Sequence, residues 1–78
     1  MKIKMFYRTQ RDVAAALNQL VDAYWEERII EQKLIEGIRD IHKNNPEKLI
    51  KDSNFTKVVQ QHCGKRRLVI VDRIIKMK

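Results

Sequence analysis

HCGKRRLVIV, residues 62–71, decides between an all-helical and a mixed fold, because its apolar end suits either a helix or a strand. The spacing L-x-x-V-x-x-x-I is helical, and the DRIIKMK that follows contains no turn signal. The alternative is a strand, since the β-branched LVIV can pair with the alternating KIKMF of residues 2–6. We predict a helix over 65–77 that buries one apolar side, made of Leu68, Val71, Ile74 and Ile75.

The first half of the chain predicts a helical hairpin. Thr9 can cap a helix over 9–25, with Asp12 in its first turn. The first half contains two apolar stripes, and the second is rotated around the helix axis by roughly 60–80° from the first. A single straight helix would therefore carry its apolar residues on two different faces. We therefore place a turn around Glu26–Ile29 and extend the hairpin over 9–44. The stripes are Val13, Leu17, Leu20 and Tyr24, then Ile30, Leu34, Ile38 and Ile41.

The segment 44–64 predicts a short turn and then a third helix. Asn45-Pro46-Glu47 resembles a helix start, because proline suits the first helical position. The chain then restarts at Asp52-Ser53-Asn54, with Phe55, Val58, Val59 and His62 at helical spacing and Gly64 as the stop. We expect an all-α small helical bundle, in which a helix-turn-helix-like pair over 54–77 follows the hairpin. The alternative fold is α+β, with a small ribbon of the N- and C-terminal segments.

Size and composition indicate one small domain over residues 1–78. The chain is 44% apolar and 35% charged, which fits a folded domain. Its one cysteine, Cys63, suits a reducing compartment. We see no secretion signal in the opening residues, and the apolar runs are too short to cross a bilayer. We therefore expect a cytoplasmic protein, and self-association is reasonable for so small a core.

The charge is uneven and predicts a surface for an anionic partner. Residues 1–11 carry a net charge of +4, residues 12–40 carry −4 and residues 41–78 carry +7. A helix over 65–77 would turn its cations away from its apolar side, where they can contact DNA or RNA phosphates. Six such contacts would give a log–log salt slope of about −5. The predicted contact residues are Lys57, Lys65, Arg66, Arg67, Arg73 and Lys76.

Base-specific reading of DNA is not expected. In an alignment of Gly64 with the turn of a DNA-binding helix-turn-helix, Gln60 falls where a small residue is needed. Lys65 and Arg73 then fall where that motif buries apolar groups. The sequence therefore favours contact with the phosphate backbone.

A protein-interaction or homodimerisation module without a nucleic-acid role is the alternative function. Its interface would comprise Trp25, Val69 and Ile70, because an aromatic anchor with neighbouring aliphatic residues is typical of such surfaces. Attachment of the basic C-terminal segment to an anionic membrane is a weaker option.

Catalysis is not expected. His42, His62 and Cys63 are too few for a tetrahedral metal site. Adjacent residues on a helix diverge by about 100°, so His62 is badly placed to activate Cys63. We predict no catalytic residue, no metal, no cofactor and no small-molecule substrate.

TQRDVAAALNQLVDAYWEE at residues 9–27 and FTKVVQQHCGKRRL at residues 55–68 carry a family resemblance. Together with the intervening Asn44-Asn45, they resemble short, basic conserved hypothetical proteins of Firmicutes, of the clostridial type. Cys63 stands where an aliphatic residue is expected in that pattern. The resemblance implies a bacterial cytoplasmic protein and implies no chemistry.

Overall fold

The chain folds as two helices, a short helical turn, a small β-hairpin and a long broken helix. This architecture is seen in a computed structural model that describes residues 6–77. Within that range the elements are α1 (Gln10–Trp25), α2 (Glu31–Asn44), α3 (Pro46–Leu49), β1 (Ile50–Lys51), β2 (Asn54–Phe55) and α4 (Lys57–Ile75).

The predicted helical hairpin of α1 and α2 is confirmed. The Thr9 hydroxyl accepts a hydrogen bond from the Asp12 amide at 3.0 Å, which caps the first turn of α1. The chain reverses after Trp25, where Glu27 adopts a positive φ of 61°. This reversal lies within the predicted turn and brings both apolar stripes together, except for Ile30, which precedes α2 and is 65% exposed.

The core fills the space between α1, α2 and α4. Gly37 of α2 lies close to Leu20 of α1, since a Cβ at position 37 would come within 2.9 Å of both Leu20 methyl groups. Glycine therefore permits the close approach of the two helices. The largest fully buried side chains include Leu17, Leu34, Ile38, Ile41, Leu49, Val59 and Val71.

The β-hairpin corrects one prediction. Asp52 and Ser53 do not begin a helix; they form the tight turn between β1 and β2, with φ of 53° and 68°. Ile50 pairs with Phe55 in the antiparallel register, and α4 begins only after Thr56. The Thr56 hydroxyl donates to the Lys48 carbonyl at 3.1 Å, which ties the hairpin to α3. Two successive positive φ values are the mark of a hairpin turn, and they exclude the helix start that the sequence suggested.

The last segment is helical, as predicted, and α4 is broken at Gly64. This glycine has φ 76° and ψ 165°, so α4 consists of two segments that meet there. The first segment buries Val59 and Cys63, and the second buries Val71 and Ile74. The alternative ribbon is therefore wrong for 66–72, while residues 2–5 of its proposed partner lie outside the described residues.

Candidate nucleic-acid interface

The second segment of α4 has an exposed side, hereafter the basic face, that faces away from the core. The opposite, apolar side of this segment packs against the core, where Val71 is fully buried and Ile74 is 5% exposed. The helical register thereby turns five side chains outward together: Lys65, Arg66, Val69, Arg73 and Lys76.

Arg66 and Arg73 form the axis of the basic face. They are seven residues apart, which places them within about 20° around the helix and about 10.5 Å apart along its axis. Among residues 6–77, no carboxylate pairs with Lys65, Arg66 or Arg73. Lys76 pairs with Asp72 at 3.3 Å, but this exposed ion pair is weak. Three cations therefore remain available to an anion.

Arg67 lies apart from the basic face, although the sequence grouped it with the other cations. Its Nε and Nη2 donate to the two carboxylate oxygens of Asp22, at 2.9 and 3.0 Å. The hydrogen bond to Asp22 raises the pKa of Arg67 above its ordinary value, and both side chains are half-buried. Arg67 therefore holds α4 against α1, and its charge is compensated within the fold.

The break at Gly64 is capped by side chains. A break in a helix deprives the preceding carbonyls of their partners. Asn18 Nδ2 donates to the His62 carbonyl at 2.9 Å, and Arg67 Nη1 donates to the Cys63 carbonyl at 3.2 Å. The start of the second segment, and with it the basic face, is fixed by these contacts.

The stripe of α1 that faces this break was not predicted from the sequence, apart from Trp25. Its members are spaced by three or four residues, which is the signal that could have identified it. Arg11 belongs to this stripe and donates from Nε to His62 Nε2 at 3.2 Å, so one more exposed cation lies close to the break. The stripe consists of Arg11, Ala14, Asn18, Asp22 and Trp25.

Cys63 is buried where α4 packs against α1. Its thiol is 2% exposed and donates to the Ala14 carbonyl at 3.6 Å. Burial raises the pKa of the Cys63 thiol to about 11, so the thiol is protonated at neutral pH. A protonated buried thiol is a poor nucleophile and a poor metal ligand. Within residues 6–77, no group of three or more His, Cys, Asp or Glu side chains could hold a metal ion.

Trp25 borders the basic face on the α1 side. The indole is 44% exposed, although it is the largest side chain in the protein. The guanidinium carbons of Arg66 and Arg67 lie 5.8 and 5.9 Å from the ring centroid. Both distances are within the range of cation–π attraction. Arg66 therefore belongs both to the basic face and to the surroundings of the indole.

A groove between the basic face and the β-hairpin lies on the other side from Trp25. Val69 is 52% exposed and lies in a shallow groove of about 550 Å³. Ile70, which the sequence grouped with Trp25 and Val69, is half-buried and packs against the core. Lys57 is exposed at the first residue of α4, across the Gly64 break from the other predicted contacts. The groove is lined by Asn54, Phe55, Gln60, Lys65, Leu68, Val69 and Asp72.

The similarity of the chain to one protein family extends over nearly all of its residues. A family model described as "conserved hypothetical protein" matches residues 4–76. No curated protein and no solved structure matches the chain. Within residues 6–77, no helix is both long and apolar enough to cross a membrane. The family match confirms the resemblance carried by residues 9–27 and 55–68, and the chain belongs to this family of conserved hypothetical proteins of the clostridial type.

Proposed function

We propose that the protein is a cytoplasmic, non-enzymatic accessory nucleic-acid binder that contacts the phosphate backbone with its basic face. One observation carries this proposal: Lys65, Arg66 and Arg73 share the exposed side of a helix, and no described carboxylate pairs with them. Arginine donates in a fork that matches two phosphate oxygens, and lysine supplies a point charge. The net charge of +7 would steer a polyanion toward this surface.

The composition of the basic face supports backbone contact without base reading. Val69 lies between the cations and is half exposed, so the middle of the face offers no hydrogen-bond donor or acceptor to a base edge. Contacts to phosphates position a protein but carry no sequence information. We therefore expect binding with little sequence preference.

Fluorescence anisotropy with a labelled oligonucleotide of mixed sequence tests this proposal. If Lys65, Arg66 and Arg73 each neutralise one phosphate of a duplex, the logarithm of the affinity should fall with log salt at a slope of about −2.7. The variant R66Q/R73Q should bind much more weakly than the wild type. The matched control is R39Q/K43Q, which removes two exposed cations from α2. Equal affinities of the two variants, or a flat salt response, would contradict the proposal.

Self-association, or binding of another protein, is a second candidate function, and the exposed Val69 favours it. Val69 lies within the basic face and Trp25 borders it, and the groove that Val69 lines is also lined by the apolar side chains of Phe55 and Leu68. Burial of these groups in a dimer would remove apolar surface from water. Sedimentation velocity of the wild type and V69S tests this candidate, since a dimer interface would be weakened by the substitution. A wild-type protein that stays monomeric at high concentration contradicts self-association.

A further inference from the structure

We infer that the nucleic acid is single-stranded and that Trp25 stacks on one of its unpaired bases beside the basic face. The inference rests on the proposed function, because it concerns the same surface. It adds the class of nucleic acid and the residue that selects it.

The position of Trp25 is the first argument. Trp25 is the only tryptophan in the chain and the last residue of α1, and 44% of it remains exposed. Exposed aromatic rings next to a basic groove are the common feature of proteins that bind single strands. Arg66 connects the two features here, since it lies on the basic face and 5.8 Å from the indole centroid.

The rigidity of the surroundings is the second argument. Arg67, 5.9 Å from the indole centroid, is held by both oxygens of Asp22 and by the contact with the Cys63 carbonyl. The indole therefore contacts a guanidinium group that is itself held in place by three hydrogen bonds. A ring that is already positioned loses little conformational freedom when a base stacks on it.

Only a nucleic acid with unpaired bases can stack on the indole. In a duplex the flat faces of the bases are covered by their neighbours, so an exposed indole can stack only on an unpaired base. The phosphates on either side of that base would meet Arg66 and, two turns along α4, Arg73. Every base has a flat aromatic face, so stacking adds affinity with little sequence preference.

Comparison of a short oligothymidylate with an abasic strand of equal length tests the inference in the wild-type protein. The abasic strand keeps the phosphates but has nothing to stack. We expect the oligothymidylate to quench the fluorescence of Trp25 and to bind roughly 5- to 150-fold more tightly than the abasic strand, as one stacked base would give. An oligouridylate of the same length distinguishes RNA from DNA, and quenching by either supports the inference.

The variants W25L and W25F provide the second measurement. Anisotropy of a labelled strand should show that W25L binds the oligothymidylate as weakly as the abasic strand, whereas W25F retains part of the difference. Because the abasic strand has no base to stack, both substitutions should lower its affinity less than that of the oligothymidylate. Thermal unfolding followed by circular dichroism checks that both variants are folded, and the quenching measurement needs no variant at all.

The outcomes separate the two proposals. Equal, salt-dependent binding of both strands without quenching would overturn the inference and leave backbone binding intact. Absence of binding to every strand at about 50 mM salt would overturn both. If W25L changes only the sedimentation behaviour of the protein, Trp25 contacts a second copy of the chain, and the inference is again overturned.

Discussion

Arg67 and Asp22 form a bidentate ion pair between the last turn of α1 and the break in α4. Both nitrogen–oxygen distances are 3.0 Å or less, and the same guanidinium reaches the Cys63 carbonyl at the end of the first segment. One side chain thus joins three points of the fold. Because the break sets the direction of the second segment, this pair also sets the orientation of the basic face.

Removal of this ion pair should destabilise the protein. We expect R67A to lower the free energy of unfolding by about 1–3 kcal/mol, since it removes charge-assisted hydrogen bonds from a half-buried site. Urea unfolding at neutral pH measures the change. The matched control is R28A, because Arg28 pairs with Glu26 at an exposed site and should contribute less than about 0.5 kcal/mol. Equal losses for the two variants would contradict a special role for Arg67.

A side chain at position 64 should destabilise the break in α4. The φ and ψ of Gly64 lie in a region that only glycine occupies readily, so G64A should cost about 1–3 kcal/mol. The cost would be backbone strain alone, because nothing lies within 4 Å of an added Cβ. Q61A on the exposed side of α4 is the control. Alanine favours a continuous helix over a broken one. If G64A has the same free energy of unfolding as the wild type, α4 can become continuous without loss of stability, and the break is not required by the fold.

The helices were predictable from the sequence because each has a local signal. The apolar periodicity, the Thr9 cap and the change of stripe indicated α1 and α2, and Gly64 indicated the break in α4. The β-hairpin was not predictable in this way, since its turn places Asp52 and Ser53, and no glycine, at positive φ. Local patterns say nothing about which residues meet across the fold.

The candidate site was predictable only in part, for the same reason. Helical spacing correctly placed Lys65, Arg66 and Arg73 on one exposed side. The role of Arg67 depends on Asp22, which is 45 residues away along the chain. No spacing rule relates two such residues, so the compensation of the Arg67 charge became visible only in the fold.

Alkaline pH should destabilise the protein through Cys63. Burial raises the pKa of its thiol from 9.0 to about 11, so the folded state favours the protonated form. The stabilisation that comes from the protonated thiol is fully present below about pH 9. It is lost as the pH rises toward 11, because the thiol of the unfolded state ionises at a lower pH than the thiol of the folded state. The loss should be on the order of 2 kcal/mol at about pH 11.

The Cys63 contribution can be separated from that of other groups that titrate at alkaline pH. C63A lacks the thiol, so the difference between wild-type and C63A unfolding energies should shrink as the pH rises from 9 to 11. In the native wild-type protein, labelling of the thiol by iodoacetamide should be much slower than in urea. A constant difference between the two proteins, or rapid native labelling, would contradict the buried state of Cys63.

The neighbours Arg66 and Arg67 should differ in their contribution to nucleic-acid binding, because only Arg66 belongs to the basic face. If Arg66 contacts a phosphate, R66Q should make the salt slope for duplex binding shallower by about 0.9. D22N/R67Q removes a charge pair without changing the net charge, and it should leave the slope unchanged at temperatures where the protein is folded. Anisotropy titrations between about 50 and 200 mM salt give both slopes. A shallower slope for D22N/R67Q would mean that Arg67 leaves Asp22 to bind phosphate, and an unchanged slope for R66Q would place the phosphate contacts elsewhere.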